Sequence, residues 1–141
     1  MDFDLGHATM KGGPEVWEAI RFAHKSILSI ASKDIRWAKK SDPPQGPRRS
    51  DPSEDWPWTA DYVVPGTGMV NFKAAFEYMK SIGYAGSFLH YSEYFVNPPG
   101  AAKPVSLLRP NVPNEVSKEL YISSLKRDHD FYAKLIVDAG Y

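Results

Sequence analysis

Asp61-Tyr62-Val63-Val64-Pro65-Gly66-Thr67-Gly68-Met69-Val70-Asn71-Phe72-Lys73-Ala74-Ala75-Phe76-Glu77-Tyr78-Met79 changes its character part-way along. Asp61 to Pro65 is short and rich in Val and Tyr, the mark of a strand. Gly66-Thr67-Gly68 is a turn. Phe72, Ala75, Phe76 and Met79 then recur at i, i+3, i+4 and i+7, which predicts an amphipathic helix. Gly83 is placed to end it. Strand, turn and helix in this order make one βα unit.

Similar units extend on both sides. Ser26 to Ser32 is short, apolar and bounded by charge, so it reads as a buried strand. Before it, Val16, Trp17, Ile20 and Ala23 predict a helix over 14–25, with the turn Gly12-Gly13-Pro14 and Glu15 at its start. Residues 1–5 are a short opening strand. Ser87 to Tyr94 reads as a further strand. Asn114 is a plausible N-cap for a long last helix through Val116, Leu120, Leu125, Tyr132, Leu135, Ile136 and Ala139, stopped by Gly140. Segments 41–60 and 95–113 read as long loops, rich in Pro; loops of such length are usually functional or inserted. No helix is evident between Asp34 and Trp58. The expected fold is α/β, with right-handed units on a parallel sheet. Four βα units are half of an eight-fold barrel, and one domain spans 1–141.

The chain has 141 residues, 43% of them hydrophobic and 24% charged, which suits a globular domain with a core. Its formal net charge is zero, so composition gives no electrostatic footprint for nucleic acid or an anionic membrane. There is no cysteine, which excludes disulfides and thiolate metal sites. No apolar run reaches membrane-spanning length. The first thirteen residues lack the apolar core of a signal peptide. A cytoplasmic setting is the default expectation, with a secretion signal upstream left open.

Polar candidates fall at or just after the expected strand ends, where α/β folds build their sites. Asp4-Leu5-Gly6-His7 sets a carboxylate and an imidazole three apart as a strand passes into a loop, half of a metal or sugar site. The same pair also suits a simple loop hydrogen bond. Lys33 and Asp34 follow a buried strand, with Arg36 close behind; they equally suit a solvated strand end. Trp37, Trp56 and Trp58 flank the first long loop, where they stack on a sugar ring or pin the loop. His90 and Glu93 are three apart, which sends them to opposite faces of a strand unless a bulge re-aims one. Gly66-Thr67-Gly68 is read as backbone geometry more than as a phosphate cradle. Arg48-Arg49 on a loop is weak evidence for an anion site, and Asp51, Glu54 and Asp55 read as solvated charges.

Several motifs together resemble the C-terminal half of the sugar phosphate isomerase/epimerase family, within the xylose-isomerase-like TIM-barrel superfamily. Phe3-Asp4-Leu5-Gly6-His7-Ala8 resembles its fifth-strand motif and Lys33-Asp34-Ile35-Arg36-Trp37 its sixth-strand Lys-Asp motif. Pro65 to Phe72 resembles the Gly-x-Gly turn after strand seven, and Leu89-His90-Tyr91-Ser92-Glu93-Tyr94 the eighth-strand acidic motif. Lys126-Arg127-Asp128 resembles a part of its last helix. The resemblance implies four parallel βα units and a divalent metal (Mn, Mg, Co or Zn) on Asp4 and Glu93. It implies that Asp4 and Glu93 also move protons next to a sugar carbonyl. It implies that a small sugar or sugar derivative contacts His7, Lys33, Arg36, Trp37 and His90. Three departures stand out. No counterpart of the fourth-strand ligand occurs. Ala31 stands where the family often has a sixth-strand histidine. The eighth-strand motif carries one extra residue.

A half barrel exposes two strand edges. The expected partner is therefore a missing N-terminal half or a second copy of the chain. One rival reading is a non-catalytic truncated barrel fragment acting as a binding module without metal. Another is a sugar lyase or deglycosylating member of the same superfamily, or a distant endonuclease relative, the last disfavoured by the neutral charge.

Overall fold

Phe3, Ile30 and Phe88 stand abreast on three parallel strands and turn the same way, into the largest apolar cluster of the protein. The computed structural model describes residues 1–10, 15–48, 56–107 and 116–141. They run β1 (Asp2–Asp4), α1 (Leu5–Met10), α2 (Glu15–Ala23), a 3-10 turn (His24–Ser26), β2 (Ser29–Ser32), β3 (Asp34–Lys39), β4 (Trp58–Val63), α3 (Phe72–Ser81), β5 (Ser87–His90), β6 (Phe95–Val96), β7 (Val105–Ser106) and α4 (Lys118–Asp138). The architecture is mixed α/β: a parallel three-stranded sheet ordered β1-β2-β5 and four helices among the described residues.

Ile20 of α2, Phe72, Phe76 and Met79 of α3, and Tyr132 of α4 close over Phe3 and Ile30. The apolar positions on α3 predicted from its period are all buried. The Asn71 side chain accepts the Ala74 N–H at 3.2 Å to start α3, and Gly83, at φ 74°, follows its end. Because strand side chains alternate, Asp4, Ala31 and Leu89 face away from the helices. Lys33, two residues beyond Ala31, continues that second face.

Several expectations are corrected. The quoted strand pairs antiparallel with β3, from Asp34↔Val63 to Lys39↔Trp58, so among the described residues three strands are parallel and not four. Among the described residues neither a barrel nor four βα units are seen. The reason is the connection: a parallel neighbour needs a crossover, usually a helix, whereas an antiparallel one needs only a return loop. The absence of a helical pattern between Asp34 and Trp58 pointed that way. The expected loop 41–60 consequently ends inside β4, and the loop 95–113 contains the small β6–β7 hairpin. Asp4 leads into α1 and not into a loop. The expected strand 87–94 stops at His90. The last helix is capped by Ser117, whose hydroxyl accepts the Leu120 N–H at 3.2 Å. Asn114, Gly12-Gly13-Pro14, Arg49, Asp51, Glu54 and Asp55 lie outside the described residues.

Candidate functional site

Lys33 Nζ lies 3.1 Å from Asp4 Oδ2 and 2.9 Å from Glu93 Oε2, and the three side chains are 8%, 21% and 14% exposed. Asp4 closes β1, Lys33 directly follows β2, and Glu93 comes just after β5. The cluster therefore stands at the C-terminal ends of three adjacent parallel strands, where open α/β sheets place their ligands.

Each member is held from behind. Asp4 Oδ1 accepts the His7 backbone N–H at 2.9 Å and so closes the first turn of α1. Gly6 leaves room for the lysine stem: a Cβ there would sit 2.9 Å from Lys33 Cγ. Glu93 is flanked by Ser92 and Tyr94, whose hydroxyls donate to Asp128 Oδ2 on α4 at 2.5 and 2.7 Å. Asp128 is buried, and Arg127 bonds both it and the Tyr94 hydroxyl. Tying both neighbours to α4 turns Glu93 toward Lys33, which answers the face conflict with His90. Burial pushes the Tyr94 hydroxyl pKa up, and its bond to Asp128 adds to that.

Around the ammonium, the Tyr62 ring centroid lies at 4.9 Å and that of Tyr91 at 5.9 Å, distances suited to cation–π attraction. His7 bridges outward, with Nδ1 at 3.2 Å from Asp4 Oδ2 and Nε2 at 3.2 Å from the Tyr62 hydroxyl. Burial alone would lower the Lys33 pKa. The hydrogen bond to Glu93 and the charge of Asp4 outweigh it, so the pKa is raised and the ammonium is the stable form. Nothing in the sequence spacing singles out Tyr62, Tyr91 or Asp128.

The remaining candidates lie elsewhere. Asp34 turns away from Lys33 and gathers the Gly66–Val70 turn. Its Oδ1 accepts the N–H groups of Ile35 (2.9 Å) and Val70 (3.2 Å), and its Oδ2 those of Gly66 (2.9 Å) and Gly68 (2.8 Å). Burial raises its carboxyl pKa, and the four donors offset part of the rise. Gly68 is needed for that approach, since a Cβ there would lie 2.3 Å from Asp34 Oδ1. Arg36 pairs across the β3–β4 hairpin with the fully buried Asp61, at 3.6 Å. Arg48 makes the shorter contact to Asp61, at 2.7 Å, and donates to the Lys40 and Asp42 carbonyls. Trp37 lines a separate cleft of about 410 Å³ with Leu5, Thr9 and Asn71. His90 faces the helices, stacked on Tyr132 at 6.1 Å. Thus Asp4, His7, Lys33 and Glu93 come together, while Arg36, Trp37 and His90 do not join them.

No protein family, curated protein or solved structure matches the chain.

A divalent ion on Asp4 and Glu93 is the cofactor that the resemblance implies. As placed, the two carboxylates do not fit one, because the oxygens facing each other are both bonded to the Lys33 ammonium. Among the described residues no group of three His, Cys, Asp or Glu side chains is set to hold a metal ion.

Proposed function

We propose that the chain carries three adjacent βα units of a sugar isomerase/epimerase-like barrel, and that its site moves a proton next to the carbonyl of a small sugar-like compound. The observation that carries this reading is the Lys33 ammonium held between two carboxylates at the strands' C-terminal ends. The sequential order β1-β2-β5 supports it, since neighbouring barrel strands follow one another along the chain. The outer edges of β1 and β5 are where further strands, from an N-terminal half or a second copy, would add.

The ammonium donates to a carbonyl or hydroxyl oxygen and stabilises the negative charge that grows there as the adjacent C–H is lost. Glu93 takes that proton, because the less exposed carboxylate is the one whose neighbours are fixed by α4. Asp4 orients His7, whose ring reaches the Tyr62 hydroxyl and so offers a path for a proton between substrate oxygens.

The test is exchange of substrate C–H for C–D in deuterated water, followed by NMR over a panel of aldoses and ketoses. Exchange by the wild-type chain that is lost in Glu93→Gln supports the reading. Absence of exchange across the panel, or exchange indifferent to Glu93→Gln, overturns it. Ala31, level with Asp4 where a further polar group would stand, favours a second reading, a non-catalytic sugar-binding module. Binding without exchange would establish that alternative.

A further inference from the structure

We infer that Lys33 is the resident cation of this site: it takes the place of a divalent ion between Asp4 and Glu93, and the native chain does not load one there. The inference rests on the reading above for the ligand class alone; the cation stands on geometry.

Three independent observations carry it. The first is occupancy. Lys33 Nζ is within hydrogen-bond distance of Glu93 Oε2 and in ion-pair contact with Asp4 Oδ2, and its side chain is almost fully buried. An ion seated between those oxygens would meet an ammonium at contact distance. It must expel the lysine or share the carboxylates with a like charge.

The second is the donor set. On the pleat that carries Asp4, the next two strands present Ala31 and Leu89, a methyl and an isobutyl group. Neither ligates. His7 is half exposed and already divided between Asp4 and Tyr62. Hard divalent ions need several oxygen or nitrogen ligands in a set geometry. With the ammonium between them the two carboxylates do not converge on one ion, and only its removal would let them do so, with water filling the other positions.

The third is how the lysine is built in. Its stem passes Gly6 so closely that a Cβ there would lie 2.9 Å from both Lys33 Cγ and the Lys33 carbonyl oxygen. Its head is covered by the rings of Tyr62 and Tyr91. A lysine that merely filled a gap would need neither the cleared passage nor the aromatic cover.

The charge sum points to the ligand. Two carboxylates and one ammonium leave a single negative charge, which disfavours an anionic group in direct contact with the cluster. The site suits a neutral polyhydroxylated compound, whose hydroxyls donate to the carboxylates and whose carbonyl oxygen accepts from Lys33.

The test titrates Mn²⁺ into the metal-stripped native chain, following the free-ion signal by electron paramagnetic resonance and the heat by calorimetry. Lys33→Met and Lys33→Gln are compared, each checked for folding by circular dichroism. The expected result is no saturable uptake by the wild-type chain up to millimolar Mn²⁺. At least one folded Lys33 variant should bind about tenfold tighter or better, and Glu93→Gln added to it should abolish that gain. Saturable wild-type uptake that disappears in Asp4→Asn overturns the inference, as does a folded pair of Lys33 variants that gain nothing. The two proposals fail separately. Sugar C–H exchange together with wild-type Mn²⁺ uptake at Asp4 would sink this one and leave the proton-transfer reading standing. A chain with neither exchange nor uptake would do the reverse.

Discussion

Replacing Asp34 by asparagine removes one oxygen from a side chain that satisfies four backbone donors. Oδ1 serves Ile35 and Val70, and Oδ2 serves Gly66 and Gly68, at 2.8 to 3.2 Å. An amide keeps one carbonyl oxygen and so keeps one of these pairs. Its NH₂ group then points at the other pair, donor against donor. Each orphaned, partly buried N–H costs about 1–2 kcal/mol, the low end of the usual penalty, because solvent reaches part of the turn. Two of them give about 2–4 kcal/mol. Some of this is offset, because the variant no longer buries a charge whose pKa burial has raised. The net expectation for Asp34→Asn is a loss of about 2–3 kcal/mol. Urea unfolding followed by circular dichroism measures it as a lower midpoint at unchanged slope. A loss below about 0.5 kcal/mol, the size of an ordinary surface substitution, would refute the argument. It would mean that the Gly66–Val70 turn stands without the carboxylate.

Arg48→Met should cost about 2–3 kcal/mol, less than the usual 3–5 for breaking a buried pair, because Arg36 remains near the buried Asp61. Thermal unfolding reads this, and an unchanged midpoint would show that Arg36 takes over the pair completely. Tyr84 has its hydroxyl pushed up to about 12 from 10.0 by burial, with the nearby Tyr141 and Asp2 adding. A raised folded pKa means stability that is fully present below pH 10 and lost as pH rises through 12, at up to ~1.4 kcal/mol per unit. Tyr84→Phe should flatten that alkaline limb in urea midpoints taken from about pH 9 to 12; an equally steep limb in the variant would count against the assignment.

The longer helices α2, α3 and α4 were legible because their apolar residues recur at helical spacing, whereas the six-residue α1 and the three-residue β1 are too short to carry a period. Phe72, Ala75, Phe76 and Met79 announce α3 and are buried as that period requires. Ser26 to Ser32 announces β2 as a short, uncharged stretch carrying Ile27, Leu28, Ile30 and Ala31, although only its last four residues pair. What was not legible is direction. Asp61 to Val63 looks the same from within whether its neighbour runs parallel or antiparallel; the neighbour is chosen by the length and nature of the return. Glu93 was harder still. Its orientation depends on Asp128, 35 positions further along and on another element, reaching Ser92 and Tyr94. No local spacing encodes that contact.

The Lys33-Asp34 dipeptide shows how a short motif can do two unlike things because of backbone geometry alone. Successive side chains on an extended chain point to opposite faces. Lys33 therefore enters the face shared with Asp4, and Asp34 enters the other, where four N–H groups meet it. The second role supports the first. Gly66 directly extends the β4 end that carries Tyr62, with Val64 and Pro65 between, and the Asp34 carboxylate is what ties Gly66 to the start of β3. Fixing that end fixes the Tyr62 ring over the Lys33 ammonium. An insertion of one residue between the two would put both side chains on the same face, so one of them would lose its partners. The adjacency, more than either residue alone, is what makes the motif informative in a sequence.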